Sequence, residues 1–255
     1  MNHPLRITKR DKLILEHIAL FRVTTYEILH GEFFEDKKLA AVKSTMRRLT
    51  NREAGLVSLH KFPGQRQKFM RLTPKGGRAI GVETHDKPFS LNTLRASYAM
   101  LYFICHEPES IQRAKCEFDF LANFMDTANY RLPRIDFYIS QDSTVSKDEP
   151  EVSTGFVLCD FNSKIRRIVD RAVKHPRNFI RRGWFQDVMK AGRFEITILT
   201  GTESKQQELE MSLQREVIRQ LHRDISAKGL SANAIPPIKM KVAYVPGLAN
   251  LRPLK

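Results

Sequence analysis

The chain has 255 residues, 42% of them hydrophobic, which is enough for one large domain or two smaller ones with cores of their own. Its formal charge of +15 and pI near 9.9 describe a strongly positive surface, the kind that selects nucleic acid or an anionic membrane surface as partner. No run of about 18 apolar residues occurs, which excludes a transmembrane helix.

No apolar core follows the charges of MNHPLRITKRDK, so no secretory signal is expected; the expected compartment is the cytoplasm, in association with nucleoid or plasmid. Cys105, Cys116 and Cys159 are odd in number and far apart, and read as reduced, buried thiols rather than metal ligands. The charge is unevenly spread. Residues 1–90 carry a net +9, residues 91–160 a net −5 and residues 161–193 a net +8, so two basic blocks flank an acidic one.

A first helix is expected from about Ile7, where Thr8 and Asp11 have capping-box spacing and Leu13, Ile14, His17, Ile18 and Phe21 follow in a helical stripe. A second, short helix follows Thr24 or Thr25 as N-cap. A third spans Lys37 to Glu53 and stops before Gly55. LVSLHKF and QKFMRLT then alternate as strands around the turn Pro63-Gly64-Gln65-Arg66, which predicts a hairpin. Thr73-Pro74 starts another short helix. Three helices followed by a hairpin describe a winged helix-turn-helix over residues 1–81.

Residues 82–90 read as a linker, and 91–255 as a second, α/β domain. LNTLRASYAMLYFICHE is an apolar helix, expected to pack that second domain or to form a dimer interface. CEFDFLANFMDT is read as a short helix or strand-helix unit. Beyond it, RIDFYIS, GFVLCDF, RFEITILT and IKMKVAYV are strands; KIRRIVDRAVKH, PRNFIRRGWFQDVMKAG and the long ESKQQELEMSLQREVIRQLHRDIS are helices; and QDSTVSKDEPEVST is a polar loop. Strands interleaved with helices predict a sandwich around a mixed sheet. The fold class expected is therefore α+β.

In the third helix Val42, Met46 and Leu49 share the packing face. Lys37, Ala40, Ala41, Ser44, Arg47, Arg48 and Asn51 lie opposite. Small side chains there permit close approach to a groove, and arginine and asparagine carry the donor geometry that reads guanine and adenine edges. Lys43 and Ser44 suit phosphate contacts, and Lys61, Arg66 and Lys68 make the hairpin a candidate wing on the backbone or minor groove.

The run from ITKRDKLILEHIALFRVTT through STMRRLTNREAGLV to FMRLTPKGGRAI resembles the N-terminal winged-helix domain of the replication-relaxation family of plasmids and other mobile elements. The shared signals are T-x-R-D, R-R-L followed by G-L-V, and L-T-x-x-G after the wing. The resemblance covers the first third of the chain and implies a second domain resembling the restriction-endonuclease-like α/β fold. Nucleases of that fold hold Mg²⁺ between two acids on neighbouring strands, with a lysine two residues after the second. The matching carboxylates are Asp136 and Asp160, but Asn162 stands where the lysine belongs and Pro133 is not adjacent to Asp136, so a scaffold without cleavage is the favoured expectation and no cofactor is assigned.

A second basic patch is expected on the helices that follow, where Ile165, Ile168, Val169, Ala172 and Val173 form a buried stripe. Arg166, Arg167, Arg171, Lys174, Arg177, Arg181 and Arg182 lie outward, with Trp184 either stacking or packing. Leu209, Leu213, Val217, Leu221 and Ile225 predict a core stripe on the last long helix. The functional expectation is a sequence-specific binder of double-stranded DNA: a homodimeric transcriptional regulator of a plasmid or other mobile element, with no membrane partner. The alternatives are a replication or mobilisation factor at an origin, and a Mg²⁺-dependent endonuclease using Asp136 and Asp160.

Overall fold

The computed structural model of the chain describes residues 7–84, 89–106, 111–116, 121–122, 135–144, 151–161, 163–226 and 237–251. It is an α+β protein with two sheets. The chain divides into two compact units, one running to Cys105 and including the C-terminal residues from Asn250, the other spanning His106–Ala249. Among the described residues no helix is long and apolar enough to cross a membrane.

In the first unit, helix α1 (Lys9–Phe21) opens with the expected capping box: Asp11 N donates to Thr8 Oγ1 at 3.2 Å and Thr8 N donates to Asp11 Oδ2 at 2.8 Å. Left-handed Arg22 ends it, and the next segment places Thr24 beside the hairpin, exchanging backbone hydrogen bonds of 3.1 and 2.9 Å with Met70. Thr25 caps α2 (Tyr26–Phe33). Helix α3 is shorter than expected, Leu39–Thr50. Lys37 lies in the turn before it, and Asn51 leaves the helix with its N–H still on the Arg47 carbonyl. Val42, Met46 and Leu49 are fully buried, contributing about 2 kcal/mol each.

Strands β1 (Val57–Lys61) and β2 (Lys68–Leu72) form an antiparallel hairpin. Its turn begins one residue earlier than expected. Gln65 N donates to Phe62 O at 3.1 Å around Pro63 and Gly64, and Gly64 at φ 75° supplies the positive dihedral that a type II turn requires. Helix α4 (Pro74–Ile80) is capped by Thr73 and lies tight against the chain before β1. A Cβ on Gly76 would sit 2.1 Å from the Leu56 carbonyl oxygen, so only glycine fits.

Helix α5 (Leu91–Cys105) corrects the expected boundary. It belongs to the first unit, not the second, because its Tyr98 packs edge-on against Phe62 beneath the hairpin, ring centroids 5.2 Å apart, and Arg95 donates from Nε to Leu251 O at 2.7 Å. Residues 82–90 therefore connect two parts of one unit rather than two domains.

The second unit holds a five-stranded sheet in chain order: β3 (Ile111–Lys115), β4 (Asp136–Asp142), β5 (Glu151–Cys159), β6 (Phe194–Thr200) and β7 (Ile238–Tyr244). The first three strands run antiparallel as a meander; β5, β6 and β7 are parallel and so need crossovers. Helices α6 (Ile165–Arg182) and α7 (Gln186–Lys190) make the first, α8 (Glu203–Ser226) the second. Both pack one sheet face through Phe137, Phe156, Phe194, Ile196 and Ile198, as two crossovers of one hand running in one direction do. Within α8, Leu209, Leu213, Val217 and Leu221 are buried as expected, while the side chain of Ile225 lies outside the described residues.

Three local expectations change. Strand β5 starts at Glu151, inside the segment read as loop, and β3 was not expected at all. The two helices expected either side of Pro176 are one continuous helix ended by left-handed Gly183: Pro176 forfeits one N–H bond, yet it is buried in the core stripe, whose packing holds the helix together. The unit expected at CEFDFLANFMDT falls mostly outside the described residues.

Candidate nucleic-acid interface

Burial of Val42, Met46 and Leu49 turns the opposite side of α3 outward, and there Ala40, Lys43, Ser44 and Arg47 are all exposed, at the three- and four-residue spacing of a single face. Lys37 precedes that face and Asn51 follows it, both exposed. No side chain caps the first turn of α3, and among the described residues no carboxylate pairs with Lys43 or Arg47. The face therefore presents donors and cations that are not consumed within the unit.

Arg48 departs from this pattern. Its Nη2 donates to Asp11 Oδ1, and Asp11 is 1% exposed. Burial alone would push the Asp11 carboxyl up, but hydrogen bonds from the Thr8 backbone and the Arg48 side chain outweigh it and hold the carboxyl below its ordinary value. The side chain expected to read a base instead fastens α3 to the start of α1. The sequence placed it on the outer face because 100° per residue leaves position 48 at the margin of the buried stripe, where either role is open.

In the hairpin, Lys61 and Lys68 stand directly opposite one another in the last pair before the turn, and exposed Arg66 lies in the turn itself. Opposed like charges destabilise a strand pair. Among the described residues none of the three has a carboxylate partner, so an external anion is what this end of the hairpin suits.

In the second unit, the seven basic residues of α6 fall on one side of the helix, within an arc of about 160°. They do not form a uniform free patch. Arg171 donates to the Cys159 carbonyl at 3.0 Å, Arg182 lies 4.8 Å above the buried Trp184 ring, and Arg166 borders a groove shared with Asp170, Glu216 and Arg219. Arg167, Lys174 and Arg181 are exposed, and Arg177 is half-buried. Trp184 is 6% exposed and packs in the core rather than offering a stacking surface.

Asp136 opens β4 and Asp160 follows β5, which brings both to the same end of adjacent antiparallel strands. Asp136 pairs with Lys115 Nζ at 2.8 Å. Asp160 is 4% exposed; its Oδ1 accepts from Ser163 N at 2.7 Å, whereas its Oδ2 is buried without a hydrogen-bond partner among the described residues. Both carboxylates bear on Cys159, whose thiol is pushed up to about 12 by burial and then by Asp136. Asn162, the expected departure from the nuclease pattern, lies outside the described residues, and Lys164 occupies the N-cap position of α6 with its side chain exposed and making no capping bond.

Behind this end of the sheet sits a buried polar cluster that the sequence reading missed. The Tyr138 hydroxyl donates to Glu195 Oε2 at 2.9 Å and lies 2.7 Å from Thr197 Oγ1, and Lys241 Nζ reaches Glu195 Oε1 at 2.9 Å. A carboxylate only accepts, so the phenol proton goes to Glu195 and Thr197 donates to the phenol oxygen. Glu195 and Thr197 sit two apart in RFEITILT, and that spacing is the one trace of the cluster in the sequence. No protein-family model, no curated protein and no solved structure matches this chain.

Proposed function

We propose that the chain is a sequence-specific double-stranded DNA-binding protein whose first unit works as a winged helix. In this reading α3 enters the major groove and the β1–β2 hairpin lies along the backbone. The observation that carries it is the outward face of α3, where Lys43, Ser44 and Arg47 are exposed and, among the described residues, unpaired beside a buried stripe that fixes the helix. Base readout rests on Arg47, Ser44 and Asn51, and phosphate contact on Lys43, Lys61, Arg66 and Lys68. In this reading the biological role is transcriptional regulation on a plasmid or other mobile element, as a homodimer. A single binding site at an origin would instead make the protein a replication or mobilisation factor.

Selection from a random duplex pool, followed by titration of the selected site, tests the reading. Arg47→Ala is expected to relax sequence preference and Arg66→Ala to weaken binding to all sequences alike, with affinity falling steeply as salt rises. If both variants bind as wild type does, α3 and the hairpin are not the surface.

One observation favours a second reading for the other unit. Asp136 and Asp160 share one sheet end, Asp160 keeps an unpartnered buried oxygen, and Lys115 brings an ammonium to that end from the neighbouring strand. That arrangement suits a Mg²⁺-dependent endonuclease, with the carboxylates as ligands and the lysine beside them. Cleavage of plasmid DNA in Mg²⁺ that disappears in Asp160→Ala would establish it; an inert wild-type protein would remove it.

A further inference from the structure

Three donor side chains of different chemistry meet inside the first unit, away from the α3 face and the hairpin end. His17 on α1, Glu32 on α2 and Cys105 at the end of α5 each offer one ligand atom, and these atoms lie within 4.8 Å of one another. His17 is 9% exposed; its Nε2 stands 3.2 Å from Thr24 Oγ1, and its ring packs against Phe21 and Phe33 at 4.9 and 5.4 Å. Cys105 is half-buried and Glu32 is exposed at the rim.

We infer that His17, Glu32 and Cys105 form a binding site for a divalent cation of the zinc class, with a fourth position open to water. The donor set selects the ion: one imidazole, one thiolate and one carboxylate suit zinc, whereas calcium and magnesium take oxygen ligands. The geometry is close to closed. In a triangle with edges of 4.8 Å or less and no obtuse angle, the centre lies no more than about 2.8 Å from each corner, and zinc distances of about 2.0–2.3 Å need the side chains to move inward by about half an ångström. A tautomer that donates from Nε2 to Thr24 leaves Nδ1 its lone pair and fixes the ring plane, the outer contact that metal-binding histidines use. The exposed edge at Glu32 supplies an entry path. The ion would tie α5 to the consecutive helices α1 and α2.

Titration of the reduced, metal-free full chain with Co²⁺ tests this. Wild type is expected to develop a thiolate-to-cobalt charge-transfer absorption that saturates at one equivalent and is displaced by Zn²⁺; Cys105→Ser is expected to lack it. Absence of the band in wild type overturns the proposal, and so does its persistence in Cys105→Ser, which would assign the ligand to Cys116 or Cys159. Glu32→Gln lies at the rim and leaves the core intact, so it guards against misfolding. It is expected to keep the metal-free melting temperature while weakening Zn²⁺ binding about tenfold or more; unchanged Zn²⁺ affinity overturns the site. Neither readout involves nucleic acid, so the result is independent of the DNA-binding reading.

Discussion

Replacing Arg48 with alanine separates a structural arginine from a reading one. In the folded chain the Asp11 carboxylate is 1% exposed and receives Thr8 N and Arg48 Nη2, whereas the Arg48 side chain is 39% exposed. Removing one partner of a fully buried pair costs about 3–5 kcal/mol. Here the arginine side is open and water can enter after truncation, so the expected loss is about 2 kcal/mol. For a unit of about 100 residues that lowers its melting temperature by roughly 10 °C.

Two probes separate the units. The only tryptophan in the sequence, Trp184, is buried in the second unit, so its fluorescence follows that unit while circular dichroism follows both. Arg48→Ala should move a dichroism transition and leave the fluorescence transition in place. Arg47 is exposed and unpaired among the described residues, so Arg47→Ala should stay within about 0.5 kcal/mol of wild type while losing DNA affinity. An Asp11→Asn/Arg48→Ala cycle should show coupling above about 1 kcal/mol. If Arg48→Ala melts like wild type and loses DNA binding instead, the Asp11 contact is incidental and Arg48 belongs to the reading face.

Tyr138→Phe leaves Glu195 and Thr197 buried without the phenol and is expected to destabilise the second unit by about 2 kcal/mol, seen as an earlier fluorescence transition in urea. Neutralising Lys61, Arg66 and Lys68 together should lower the salt dependence of DNA affinity by about 0.9 in log-log slope for each lost phosphate contact, with stability little changed. Burial pushes His17 and His175 down to about 4, with Lys174 and Arg171 adding to the fall at His175, so both are neutral in the folded chain and protonate on unfolding below about pH 6.5. Metal-free stability should therefore fall as pH drops from about 6.5 to 4, by at most about 1.4 kcal/mol per pH unit for each histidine, with the histidine contribution levelling off below; a flat profile across that window refutes it.

Elements marked by short-range chemistry were legible from the residues. Thr8 with Asp11, Thr73 before Pro74, and the period of Val42, Met46 and Leu49 each dictate a local structure that nothing else in the unit overrides. Strand β3 was hidden because Gln112, Arg113 and Lys115 leave no apolar alternation on an edge strand, whose pairing comes from β4. The unit of helix α5 is not legible because the apolar face that includes Tyr98 names no partner; the Phe62 ring that receives it, itself packed on Phe69, lies in the hairpin. For the candidate site, the outward face of α3 was readable from its angle to the core, whereas the diversion of Arg48 depends on a carboxylate 37 residues away.

That diversion divides the helix into residues free to change and residues that are not. Among the described residues the side chains of Lys43, Ser44 and Arg47 make no hydrogen bond or ion pair, so a lineage can rewrite them, and with them the sequence being read, at almost no cost to folding. Arg48 and Asp11 can only change together. A foreign reading surface grafted onto this scaffold should therefore replace positions 43, 44 and 47 and keep 48.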